Sequence, residues 1–94
     1  MVNVKRLVLD ILKPHRPNAL DFSKTIAAVG PDYRVRLVVK EVDEHTETLQ
    51  VEIDGDDIDF DGVQNAISTL GGSLHSIDQV EVKSCPSEHP VGKE

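Results

Sequence analysis

The sequence predicts one small α+β sandwich whose four strands and two helices follow the order β-α-β-β-α-β. Three observations carry that reading. Apolar and polar residues alternate over residues 4–12, 33–42 and 48–54, the two-residue period of strands with one covered face. Two intervening stretches, 18–29 and 60–70, lengthen that spacing toward the 3.6-residue period of amphipathic helices. Prolines, glycines or short polar runs stand where the period changes.

In the first strand, Lys5, Leu7, Leu9 and Ile11 point one way, and Val4, Arg6, Val8, Asp10 and Leu12 the other. The second set is mixed, which predicts a face only partly covered. Pro14 and Pro17 end this strand and keep the connection extended. The first helix places Leu20, Ile26 and Ala27 near one stripe, flanked by Phe22 and Val29. Asn18 or Asp21 is its expected cap, and Gly30-Pro31 stops it. Residues 33–42 set Val35, Leu37 and Val39 inward and Arg34, Arg36, Val38 and Lys40 outward. The short polar run 43–47 joins them to Leu49, Val51 and Ile53, inward-facing on the third strand, as a hairpin. Asp59 or Asp61 caps the second helix, with Phe60, Val63, Ala66, Ile67 and Leu70 as its stripe and Gly71-Gly72 as its stop. The last strand, 74–83, carries Leu74, Ile77, Val80 and Val82.

Two similar halves of this kind fold into a ferredoxin-like sandwich: an antiparallel four-stranded sheet with both helices on one face. Residues 1–84 form the expected domain and 85–94, poor in apolar residues, a flexible tail. With 94 residues, 38% apolar but only 3% aromatic, the core is expected to be aliphatic. Cys85 stands alone, so no internal disulfide forms, which suits a reducing cytoplasm. The apolar run Leu7–Leu12 is interrupted by Asp10, lacks a cleavage site, and falls far short of the ~20 residues that span a bilayer. A formal charge of −7 opposes phosphate backbones and anionic lipid.

The open sheet face adds to the case against nucleic acid. RNA-recognition sheets stack bases on aromatic rings, whereas this face offers Arg6, Val8, Asp10, Gln50 and Glu52. Its mixed charge suits a subunit contact, with Arg6 and Asp10 as interface candidates. There is no G-x-S-x-G elbow, no phosphate-binding G-K-[ST] loop and no C-x-x-C pair.

Two segments carry candidate chemistry. Asp57-x-Asp59-x-Asp61-Gly62 copies the opening of an EF-hand loop, where alternate carboxylates converge on a hard cation. The twelfth position, a bidentate glutamate in that motif, is Ser68, so a full EF-hand is excluded. A looser calcium or magnesium site on Asp57, Asp59 and Asp61 stands against the plainer reading that these acids cap the helix. In the second segment, His75 lies three residues before Asp78, a pair suited to a ligand or an interface.

Three stretches resemble the signatures of a small archaeal family, domain of unknown function 211: residues 7–15, 57–61 and 71–78. The resemblance covers residues 3–83. It implies a ferredoxin-like fold, a cytoplasmic archaeal protein and homo-oligomers, including rings, and it brings no catalytic residues. The expected function is therefore a non-enzymatic, homo-oligomeric binding or regulatory module whose small-molecule ligand is unknown. The alternative is a divalent-cation-binding protein using the acidic turn, and an enzyme ranks third.

Overall fold

The computed structural model describes residues 1–86. It contains β1 (Val2–Pro14), α1 (Ala19–Ala27), β2 (Arg34–Val42), β3 (Thr46–Asp54), α2 (Phe60–Thr69) and β4 (Ser73–Ser84). All pairings are antiparallel in the order β2-β3-β1-β4, the ferredoxin-like arrangement expected from the periodicity. Most of the expected tail, from residue 87 onward, lies outside the described residues.

The core sits between the central strands and the helices. Leu7, Leu9, Ile11, Leu49, Val51 and Ile53 pack on Phe22, Ile26, Val63 and Ile67. The stripe runs through Phe22 and Ile26 of α1 and Val29 just past its end, while Leu20, expected to face inward, is 62% exposed. The i, i+4, i+7 spacing of the first three defines one helix face, and Leu20 falls outside it. Truncating the fully buried Phe22 to alanine would cost about 3–5 kcal/mol.

Both helix starts follow local chemistry. Asn18 Oδ1 accepts the Asp21 amide, and Asp59 Oδ1 accepts that of Gly62. A Cβ on Gly62 would stand 2.7 Å from Asp59 Oδ2, so glycine leaves the room this cap needs. At the end of α2, the Gly72 amide donates to Ile67 O and that of Gly71 to Ser68 O, with Gly71 at φ 84°. This is a Schellman close, and its left-handed residue favours glycine.

The strand faces depart from strict alternation at bulges. The pairing of β1 with β4 passes from Val4↔Val82 to Arg6↔Glu81, leaving Lys5 without a partner. That extra residue turns Val4, expected on the open face, toward the core, where it packs. Along β4, His75 and Asp78 are likewise skipped, between Ile11↔Leu74 and Asp10↔Ser76 and between Leu9↔Ile77 and Val8↔Gln79. A shift between Val39 and Glu41 interrupts β2, and Val39, expected inward, is 41% exposed on this edge strand, although its ladder partner Leu49 is fully buried.

Candidate functional site

The acidic turn is held by its own backbone and neighbours. The Gly55 and Ile58 amides donate to Lys5 O and Val4 O, and Asp32 accepts from the Asp56 amide. Tyr33 Oη accepts from the Asp59 amide. Asp59 is thus committed to capping α2, and Asp61 lies in the helix's first turn beside the positive end of its dipole. The acid with a cationic partner is Asp56, 2.7 Å from Lys5 Nζ, and the hydrogen bond to that ammonium holds its carboxyl below the usual range. No group of three His, Cys, Asp or Glu stands where it could hold a metal ion among the described residues. The geometry therefore lends the calcium or magnesium expectation for Asp57, Asp59 and Asp61 no support.

On the open face the structure brings Arg6 to a cluster of acceptors. Its Nη1 lies 3.0 Å from both carboxylate oxygens of Asp54, its Nη2 3.2 Å from Glu52 Oε1, and its Nε 3.2 Å from Gln79 Oε1. Each of the three guanidinium nitrogens is thus engaged, beside Val8, which is buried despite facing away from the helices. Asp10 meets the strand-edge candidate: His75 Nδ1 stands 3.7 Å from Asp10 Oδ2. Asp78 accepts from Ser76 Oγ at 2.7 Å. The two bulged residues of β4 are thus His75 and Asp78, and bulges re-aim side chains at sheet edges. His15 and His45 do not join them.

A third cluster, at the far end of β1, was not singled out from the sequence. Lys13 is fully buried, directly across from Glu47 in the β1–β3 ladder. Its Nζ lies 2.9 Å from Glu47 Oε1 and 2.8 Å from the carbonyls of Pro14 and Pro17, with the His15 carbonyl at 3.4 Å. The Phe22 ring centroid is 6.0 Å away. His15 completes the group, its Nδ1 3.1 Å from Glu47 Oε2 and its Nε2 2.9 Å from Glu44 O. Hydrogen bonds to Glu47 and then to the Glu44 carbonyl raise the imidazole pKa above 6.5. Those from His15 and then Lys13 hold Glu47 below 4.5.

An ammonium has three donors, and here they meet a carboxylate and two close carbonyls. Both ring nitrogens of His15 are likewise occupied. With the Lys13 ammonium saturated, the group acts as a fastener between the β1–α1 connection and the β2–β3 hairpin. One signal for it was present in the sequence. Lys13 continues the inward parity of Leu7, Leu9 and Ile11, and a lysine at such a position must find oxygen partners.

The comparisons add lineage to this geometry. A family model described as an uncharacterized ArCR family, DUF211, matches residues 5–85. The chain belongs to the DUF211 family. The DUF211 chain is also 42% identical over 80 residues to the uncharacterized protein MJ0319 of the archaeon Methanocaldococcus jannaschii, covering 85% of this chain and 82% of that protein. The match spans all three clusters of this DUF211 member, from Lys5 through Lys13 and Glu47 to Asp78. Among the described residues no helix is long and apolar enough to cross a membrane.

Proposed function

We propose that this protein is a non-enzymatic binding or regulatory module that works as a homo-oligomer, assembled edge to edge through β4 of one copy and β2 of the next. The observation that carries the reading is the outer strand β4. Its Ile77, Val80 and Val82 lie on the helix side of the sheet, yet they are 46%, 51% and 50% exposed. The opposite edge matches it, since Val39 and Val42 are exposed on the same side of β2. Joining the two edges would align both sets into one apolar strip and pair the free backbone groups of each strand.

Charge supports the same partner. The β2 edge carries Arg34, Arg36 and Lys40 against Glu41, whereas β4 carries Asp78 and Glu81 against Lys83. A contact between two different edges is heterologous, and repeated copies close into a ring or run on as a filament. Bulges at His75 and Asp78 blunt the first half of β4, leaving residues 79–84 as the pairing segment. The polar open face, with Arg6 engaged and no aromatic ring, fits a scaffold better than a base-stacking surface. Multi-angle light scattering at micromolar concentration tests the proposal. A mass several times that of the 10.3 kDa chain is expected, and a strict monomer overturns it.

A further inference from the structure

The fastener at the end of β1 contains a feature that neither packing nor assembly uses. Both nitrogens of His15 face acceptors: Nδ1 faces a carboxylate oxygen of Glu47 and Nε2 the main-chain carbonyl of Glu44. A neutral imidazole has one N–H and one lone pair, so it can satisfy only one of these contacts. The other would set a lone pair against an oxygen at about hydrogen-bond distance. Only the imidazolium donates to both.

The geometry points to His15 as a pH-sensitive latch that clips the β2–β3 hairpin turn to the β1–α1 connection when protonated and frees it when neutral. The charged surroundings act in the same sense. Glu47 approaches from β3, and Glu44 and Asp43 add negative charge from the turn. Lys13, the like charge on β1, is already neutralised by Glu47 Oε1 and the carbonyls of Pro14 and Pro17. His45 on the turn is directed to Glu44 rather than to His15, and Arg16 is the next charge along the chain. The raised pKa of His15 places the release above the ordinary histidine value of 6.5.

Opening is local. Lys13 keeps its two close carbonyls and its bond to Glu47 whether or not His15 is charged, so the core end of the hairpin stays fastened. What loosens is the turn, closed by the Asp43 amide donating to Thr46 O at 2.8 Å. A turn anchored at low pH and free at higher pH is a conformational device controlled by one proton.

The test is NMR on the full chain from pH 5.5 to 9, following the imidazole resonances together with the exchange protection of the Asp43 amide, corrected for intrinsic exchange. His15 should titrate above the ordinary histidine value of 6.5. Across that titration Asp43 protection should fall by about threefold to tenfold, while that of Val51 stays constant. In His15→Gln, Asp43 protection should be low and independent of pH. The proposal is overturned if His15 titrates at or below 6.5. It is equally overturned if Asp43 protection stays flat in the wild type, or still follows pH in the variant.

Discussion

The Lys13 fastener and the β4 edge lie at opposite extremes of satisfaction. At the fastener an ammonium, a carboxylate and an imidazole bring nearly every polar group a partner, with Lys13 fully buried and His15 at the solvent side. Along β4 there is almost no chemistry, but three aliphatic side chains and a row of backbone groups face solvent. A dense cluster of titratable residues looks like an active site, yet saturation makes this one structural. A plain strand looks inert, yet its exposed apolar surface is what the proposed assembly would use. The fastener should therefore govern stability and the edge assembly, and crossing those effects would break the distinction.

The largest expected effect is on the fastener. Lys13→Met leaves Glu47 Oε1 and the two part-buried carbonyls of Pro14 and Pro17 without their donor and should lower unfolding free energy in urea by about 3–5 kcal/mol. The folded fraction should keep the wild-type mass. Val82→Asp should do the reverse, collapsing the mass while shifting the midpoint of the dissociated chain little, because the side chain is half exposed. Glu47→Gln should cost less than Lys13→Met, about 1–2 kcal/mol, since Nζ retains the Pro14 and Pro17 carbonyls.

Acid sharpens the contrast further. The folded pKa of Glu47 is depressed, so its contribution is fully present above 4.5 and lost as pH falls through the lowered value. Acid unfolding of Glu47→Gln should therefore be less steep than that of the wild type. The smallest effect belongs to Lys5→Met. The Lys5–Asp56 pair, at 2.7 Å, is shorter than the Lys13–Glu47 pair at 2.9 Å, but Asp56 is exposed, and the unfolding midpoint should not move measurably.

Much of this architecture was legible because each element carried its own period and punctuation. The second helix is the clearest case: Asp59, the Val63 and Ile67 stripe and Gly71 state its cap, face and stop in order. The edge was harder to read. Ile77, Val80 and Val82 are recognisably apolar, but whether helices reach them depends on layer width, which no local pattern encodes. Bulges also escaped, because Val4 reads as outward until Lys5 is skipped by the ladder. Lys13 was missed for a related reason: its partners Glu47, Pro14 and Pro17 meet only once β1 and β3 align. His75 and Asp78 were marked from their spacing, and the structure shows them as the two bulges of β4.

The claim on which the functional reading rests is a contact between unlike edges, and complementation by two damaged chains tests it most directly. Val39→Asp disables the β2 edge and Val82→Asp the β4 edge, and each variant alone should be monomeric by analytical ultracentrifugation. An equimolar mixture retains one intact pair of edges, β2 of the Val82→Asp chain with β4 of the Val39→Asp chain. The account predicts that the mixture stops at a dimer, twice the 10.3 kDa chain mass. A mixture that stays monomeric, or a single variant that still assembles fully, would contradict it.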